Sequence, residues 1–176
     1  MNRKVITTIL LALAVVVFSG FKPVISNKDN IAINGYDVVA YHTEGKPRKG
    51  SLLYYFKWKD VEWRFASIKN LQLFMKEPEK YAPQYGGYCA ICIAFNNTVA
   101  FDPEAFALYE GKLYLFDNKK LLAEWRKDPK RFIKPADTNY KDFVAERREP
   151  NATLIVPPEL QHLVDDTPDT DAPSEP

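Results

Sequence analysis

The chain contains an internal repeat, and this repeat limits the folds that the chain can adopt more than any other feature. Residues Asp60–Tyr81 align with Gly111–Phe132 without a gap, at a constant spacing of 51 residues. Similar residues recur at matching positions, namely Phe65 with Phe116, Ser67 with Asn118, Leu71 with Leu122, Phe74 with Trp125 and Pro78 with Pro129. A unit of this size cannot bury its apolar face alone. We therefore expect two similar units that share a core.

Each copy is predicted to contain a β-hairpin. Aromatic and aliphatic residues alternate or cluster in four short segments with the composition of strands, Leu52–Lys57, Val61–Phe65, Phe106–Tyr109 and Leu113–Phe116. A polar turn pair separates the two strands of each copy, Lys59-Asp60 in the first and Glu110-Gly111 in the second. A two-stranded hairpin is marginally stable alone, so each hairpin must pack against a helix.

A helix is predicted after each hairpin, because apolar residues recur there at helical spacing behind a polar residue suited to an N-cap. Each helix is expected to end before a proline, Pro78 or Pro129. Between the copies, Gly86 and Gly87 precede the apolar run Tyr88–Phe95, which is predicted to be a short buried helix. The predicted fold class is α+β, with two repeated β-hairpin–helix units, antiparallel strands and this short helix buried between them.

The N-terminal residues 1–26 have the composition of a signal peptide. Arg3 and Lys4 precede a run without charge from Val5 to Phe21, and we expect cleavage after Ser26. The alternative is an uncleaved membrane anchor, since a run of about 17 apolar residues is at the lower limit for a transmembrane helix. Both interpretations place the predicted domain, residues 27–148, outside the cytoplasm, in a periplasm or secreted.

The C-terminal residues 149–176 are predicted to form a disordered acidic tail. They contain seven acidic and no basic residues, and they cannot bury enough apolar area to fold alone. Leu154-Ile155-Val156 is one apolar patch in this tail that is suited to docking on the domain. The domain itself carries 21 basic and 16 acidic residues. Its basic residues are scattered, which predicts a solvated surface and no nucleic-acid partner.

Three residues are candidates for metal chemistry. Cys89 and Cys92 are the only cysteines and form a C-x-x-C motif, and His42 is the only histidine of the domain. Three interpretations of the motif stay open. The thiols bind a soft ion such as copper, with His42 as third ligand; or they cycle as a redox pair; or they are buried apolar residues or a passive disulfide.

The sequence gives no signature of a known catalytic machine. It contains no Gly-rich phosphate loop, Ser elbow, histidine pair or paired-carboxylate motif. The missing motifs favour a binding protein over an enzyme. Asp, Glu, Lys and Tyr also perform acid–base chemistry, so the enzyme class stays open. Asp37 is expected to cap or close a turn. The aromatic residues are expected to form the core first, with a metal-free ligand cleft as the alternative: Tyr36, Tyr41, Tyr54, Tyr55, Phe56, Trp58 and Trp63.

Four pieces of the chain resemble the YHS domain family, and the resemblance runs from about Ile33 to Asn139. The pieces are Gly35–Lys46, Trp63–Ser67, Pro78–Ala90, and Asp102–Ala105 through Gly111–Leu115. The long block Pro78–Ala90, which contains Gly-Gly-Tyr-Cys, is the most specific. The chain most resembles the longer, exported, uncharacterised branch of the family.

The resemblance implies a binding module, and metal binding, often suggested to be of copper, is the role proposed for the family. That role rests largely on cysteines that this chain lacks. Ala40, Ala66 and Asn70 stand at the thiol positions of the first copy, and Asp117 and Leu121 replace the paired thiols in the second. The leading expectation is therefore an exported binding module for a soft metal such as copper at Cys89, Cys92 and His42. Open alternatives are a metal-free domain with an aromatic cleft and, at lower weight, a thiol redox protein.

Overall fold

The computed structural model of the chain describes residues 24–146. This part is an α+β domain with two small antiparallel hairpins and six helices, so the predicted α+β class and the antiparallel pairing of the strands are confirmed. Most of the predicted signal segment and all of the predicted acidic tail lie outside the described residues. Among the helices of residues 24–146, none combines the length and the apolar character needed to cross a membrane.

Each hairpin is followed along the chain by two helices. The elements are α1 (Val38–Glu44), β1 (Ser51–Trp58), β2 (Val61–Phe65), α2 (Ile68–Lys76), α3 (Pro78–Tyr81), α4 (Ala90–Ala94), β3 (Asp102–Tyr109), β4 (Lys112–Phe116), α5 (Lys119–Lys127) and α6 (Pro129–Glu146). Short 3-10 turns, Ile33–Gly35 and Gln84–Gly87, precede α1 and α4.

Both hairpins close through the turn pairs that the sequence predicts. Lys59 and Asp60 both adopt positive φ, as do Glu110 and Gly111. Two central residues at positive φ form the turn whose twist matches that of paired antiparallel strands. Each hairpin contains one irregularity in the first half of its first strand, between residues 51 and 55 in β1 and between 102 and 106 in β3.

Helices α2 and α5 begin and end as the sequence predicts. The Ser67 hydroxyl accepts a hydrogen bond from the Asn70 amide, and the Asn118 side chain accepts one from the Leu121 amide. Both helices end before a proline, which then begins the next helix, α3 or α6. Proline suits the first helical position because its missing amide proton would have no helical partner there. The 18-residue helix α6, with Pro135 inside it, was not predicted.

Strand β4 is buried on both faces and separates two hydrophobic cores. Leu113 and Leu115 belong to the first core, whereas Tyr114 and Phe116 belong to the second. The first core also contains the buried face of the first hairpin and α2, with Val61, Trp63, Phe65 and Phe74. The second is completed by α4, α5 and α6, with Ile91, Ile93, Trp125, Phe132 and Phe143. Phe74 and Trp125, which the repeat aligns with each other, are both buried in these cores.

Residues 24–26 take part in the folded structure. Val24 is buried, the Ile25 amide donates to the Gly86 carbonyl (2.9 Å), and the Ile33 amide donates to the Ile25 carbonyl (2.8 Å). Cleavage after Ser26 would remove Val24 and Ile25 from these contacts. The position of cleavage stays a prediction, and these contacts favour a site before Val24.

Candidate binding cleft

A cleft of about 320 Å³ lies where the first hairpin, the connection between α3 and α4, and helix α6 meet. Small-molecule sites in proteins typically have volumes of about 300–1,000 Å³, so the cleft is large enough for a small ligand. Its walls come from segments that are distant in sequence, and they consist of Val24, Trp58, Lys59, Trp63, Glu79, Ala82, Pro83, Gln84, Tyr85, Gly86, Asp137, Tyr140 and Lys141.

Two pairs of aromatic side chains belong to this lining. Trp58 and Trp63 pack on Phe74, with ring centroids 5.6 Å and 5.1 Å from the Phe74 ring. The Trp63 indole also donates a hydrogen bond to the Trp58 carbonyl (3.0 Å). Tyr85 and Tyr140 meet edge to face at 5.7 Å. These rings are held by packing and hydrogen bonds, so they form a preorganised wall. Trp63 and Tyr85 are buried, and the half-buried Trp58 and Tyr140 supply its accessible ring surface.

The polar groups of the cleft are already arranged in pairs. Lys59 Nζ lies 3.0 Å from a Glu79 carboxylate oxygen and 4.2 Å from the centre of the Trp58 ring. The Tyr85 hydroxyl donates to Asp137 Oδ1 (3.0 Å). The lysine–glutamate pair is largely exposed and contributes little to stability. A ligand can therefore compete for Lys59 and Glu79 at small cost.

The two tyrosines of the cleft remain protonated at neutral pH. Burial raises the pKa of Tyr85 above its usual value of 10, and the neighbouring Asp137 carboxylate raises it further. Burial also raises the pKa of Tyr140. The Tyr85 hydroxyl therefore keeps the proton that it donates to Asp137.

Cys89 and Cys92 form a disulfide in the second core. Their Cα atoms are 5.2 Å apart, and the two residues are 0% and 2% exposed. Cys89 stands at the N-cap of α4, and its amide donates to the Val99 carbonyl (3.0 Å). A buried disulfide of this kind matches the third interpretation of the motif, a passive bond among apolar residues.

His42 lies on α1 and packs against α3. Its ring meets Tyr81 edge to face at 5.3 Å. Burial lowers the pKa of His42, a hydrogen bond to the Tyr81 backbone opposes this effect, and the nearby Lys80 charge adds to it. Its Nε2 atom is buried and has no hydrogen-bond partner. The imidazole is therefore held in its neutral form beside an aromatic ring.

The structure does not bring His42 together with the two cysteines. Nowhere in residues 24–146 do three His, Cys, Asp or Glu side chains gather into a group suited to a metal ion. A soft metal ion needs free thiolates, and here both sulfurs are joined to each other and buried. Cys89, Cys92 and His42, arranged in this way, do not fit a copper ion.

Asp37 caps α1, as the sequence predicts, and also binds the start of α2. Its Oδ1 accepts from the amides of Val39 (2.9 Å) and Ala40 (3.2 Å). Its Oδ2 accepts from the Ala66 amide and the Asn70 side chain, both at 2.7 Å. Three of these donors, Ala40, Ala66 and Asn70, stand where the resemblance places thiols. In the first copy, a buried carboxylate network occupies those positions.

Several cleft residues were not predicted from the sequence. Trp58 and Trp63 were among the candidate aromatic residues, but Tyr85 and the α6 residues were not. A signal for the latter exists, because Asp137, Tyr140 and Lys141 are spaced so that they share one face of a helix. Recognising it would have required the prediction of α6.

No family model, curated protein or solved structure matches this chain.

Proposed function

We propose that the chain is an extracytoplasmic binding module that takes a small organic ligand in the aromatic cleft, without a metal. The observation that carries this proposal is the convergence of Trp58, Trp63, Tyr85 and Tyr140 on one cleft. The uncharged N-terminal run supports the location. The disulfide also supports it, because disulfides persist mainly in oxidising compartments.

The ligand of this cleft is expected to be neutral or zwitterionic. Lys59 and Lys141 balance Glu79 and Asp137, so the lining has no net charge. The aromatic faces suit a flat or ringed apolar surface, and Lys59, Glu79 and Gln84 suit polar substituents. An anion such as phosphate would meet Glu79 and Asp137, which disfavour it.

We also propose that the domain consists of two copies of one YHS-like unit, residues 33–76 and 85–127. The first support is that each copy opens with three consecutive residues at positive φ, Ile33-Asn34-Gly35 and Tyr85-Gly86-Gly87. The second is that the next helix has its N-cap two residues later, at Asp37 or Cys89. Both N-cap amides donate to a carbonyl just before the hairpin, Asp37 to Arg48 (2.8 Å) and Cys89 to Val99 (3.0 Å).

Strand pairing supports the duplication at every position. The partners Ser51–Phe65, Tyr55–Arg64 and Trp58–Val61 of the first hairpin recur as Asp102–Phe116, Phe106–Leu115 and Tyr109–Lys112 in the second, each 51 residues later. In this proposal α4 corresponds to α1. Helix α4 packs in the second core with α6 and β4, so the central helix belongs to the second copy.

The proposed function is tested by titrating the purified chain with cellobiose, L-tryptophan and adenosine, followed by tryptophan fluorescence and thermal shift. We expect at least one of these ringed ligands to bind with Kd below about 1 mM. Trp58→Ala and Tyr140→Ala should each weaken this binding at least about tenfold. Tyr109→Ala is the matched control, since Tyr109 packs on Trp125 away from the cleft.

Two outcomes would contradict the proposed function. One is that none of the three probes binds, and the other is that binding persists in Trp58→Ala. A parallel Cu(I) titration of the reduced chain tests the metal interpretation. Micromolar Cu(I) binding that is lost in Cys89→Ser would favour copper over the organic ligand.

A further inference from the structure

Strand β1 has an open outer edge with exposed apolar side chains. On the other side of the hairpin, β2 is covered by the N-terminal segment, since the Ala32 amide donates to the Glu62 carbonyl (2.8 Å). Within residues 24–146, the only strand that pairs with β1 is β2. Leu52, Leu53 and Tyr55 of β1 are 71%, 79% and 58% exposed. An exposed edge of this kind is suited to the addition of another strand.

The second hairpin shows how the corresponding surface is covered elsewhere in the molecule. Pro103 and Phe106 occupy the positions that correspond to Leu52 and Tyr55, 51 residues later. The Tyr41 hydroxyl of α1 donates to the Pro103 carbonyl (3.2 Å), and the Tyr41 ring contacts Phe106 at 4.8 Å. In the first hairpin, no side chain of the described residues covers Leu52 and Tyr55 as Tyr41 covers Pro103 and Phe106. Leu52 and Tyr55 therefore stay exposed.

We propose that residues Asn151–Val156 of the same chain add to the outer edge of β1 as a third, antiparallel strand. This segment is uncharged and lies between Pro150 and Pro157, which would limit its length. It contains Leu154-Ile155-Val156, and β-branched residues favour strands. Backbone hydrogen bonds to the edge hold such a strand, and its apolar side chains cover Leu53 and Tyr55.

The geometry of α6 sets the direction of this strand. Tyr140 and Lys141 of α6 line the same cleft as Trp58, the last residue of β1. From Lys141, five helical residues and four extended ones reach at most about 20 Å. This reach is shorter than the eight-residue strand β1, which spans about 23 Å. It therefore favours a start near the Trp58 end, from which the segment runs towards Ser51, antiparallel to β1.

Charge favours this occupant over a second copy of the chain. Lys46, Arg48 and Lys49 precede β1, and the acidic residues that follow Val156, beginning with Glu159, would reach this basic end. Pairing β1 with β1 of a second copy would instead bring like charges together, which edge strands use to avoid each other. Exposed charges are screened at physiological salt, so they orient the segment while the apolar contacts hold it.

Hydrogen exchange of the chain in its exported form, with its tail, tests the proposal. In Ile155→Pro, which cannot donate its backbone amide and breaks a strand on either face, the amides of Tyr55 and Lys57, which alternate with those paired to β2, should exchange at least about tenfold faster than in the parent chain. Leu163→Pro is the matched control and should leave their exchange unchanged. On the β1 side, Leu53→Asp should also release the segment, whereas Leu108→Asp, on the exposed face of β3, should not.

A synthetic peptide of residues 150–158 completes the test. Added in excess to the Ile155→Pro chain, it should restore slow exchange at Tyr55 and Lys57. Equal exchange rates in the parent and Ile155→Pro chains would overturn the proposal. Protection that grows with protein concentration, together with a dimer in light scattering, would also overturn it, because the occupant would then be a second copy.

Discussion

The two hairpins share one strand register but have different surroundings. In the first, Glu62 and Arg64 lie on the outward face of β2 and contact each other at 2.7 Å. At the corresponding positions of β4 stand Leu113 and Leu115, which are fully buried in the first core. The turns and strand pairings of the two hairpins are therefore the same. The two residues at these positions decide whether the strand buries one face, as β2 does, or both faces, as β4 does. The first hairpin forms an end of the domain, and the second forms its internal wall.

The helices that precede the hairpins are also held by different means. Asp37 at the start of α1 is joined through hydrogen bonds to the Ala66 amide and the Asn70 side chain. At the matching position of α4, Cys89 forms a disulfide with Cys92 within the same turn, and Asn139 of α6 donates to the carbonyl groups at the end of α4. The first helix thus depends on a buried polar network, and the second on a covalent bond and on packing.

Truncation of the core anchors Phe74 and Trp125, one beside each hairpin, is expected to cause the largest loss of stability. Phe74→Ala and Trp125→Ala should each lower the free energy of unfolding by about 3–5 kcal/mol, because each removes a large buried aromatic side chain and leaves a cavity. Urea denaturation followed by circular dichroism measures both. Since β4 belongs to both cores, we expect a single cooperative transition in each variant.

Neighbouring exposed positions are the controls for these anchors. Met75→Ala and Arg126→Ala, each next to an anchor on the same helix and exposed, should change stability by less than about 0.5 kcal/mol. Two separate unfolding transitions, or a cost confined to one of the two anchors, would show that the halves are not energetically equivalent.

Substitution of the N-cap residues of α1 and α4, Asp37 and Cys89, is expected to cause the next largest loss of stability. Asp37→Ala should cost about 2–4 kcal/mol, because it removes a cap and leaves the buried Asn70 amide group without its acceptor. The double variant Cys89→Ala/Cys92→Ala should cost about 2 kcal/mol or less, since the disulfide closes a very short loop. Thermal and urea denaturation at neutral pH compare the two.

A larger loss of stability in the double cysteine variant than in Asp37→Ala would contradict this order. If the cysteine variant loses more stability than Asp37→Ala, the disulfide is the main support of α4, and packing against α6 contributes less than the structure suggests.

The smallest expected loss of stability depends on pH and distinguishes α1 from α4, whose one titratable residue type, Cys92, is held in the disulfide. Burial lowers the pKa of His42 from its ordinary value of 6.5. The folded state therefore favours the neutral imidazole, and this contribution to stability is complete above pH 6.5 and is lost as the pH falls below it. Between pH 7.5 and 5.5, stability should fall more steeply in the parent chain than in His42→Gln. Parallel curves for the two chains would refute this assignment.

The strands, the turns, the N-caps and the ends of α2 and α5 could all be predicted from the sequence, because each depends on residues close together in the chain. Helix α6 could not. Pro135 lies inside it and normally disfavours a helix interior, so local rules predict an interruption there. Packing of Phe132, Ala136 and Phe143 in the second core outweighs that local penalty, and such packing is visible only in the folded chain.

The sequence by itself determined the repeated pattern of this protein and the set of residues able to carry chemistry. The tertiary structure decided which of those residues meet. His42 lies beside Tyr81 while the cysteines lie in the second core, and Trp58, Tyr85 and Tyr140 converge on one cleft. The physical reason is that these contacts join segments separated by tens of residues. Their distances follow from how hairpins and helices share two cores, which no short stretch of sequence specifies.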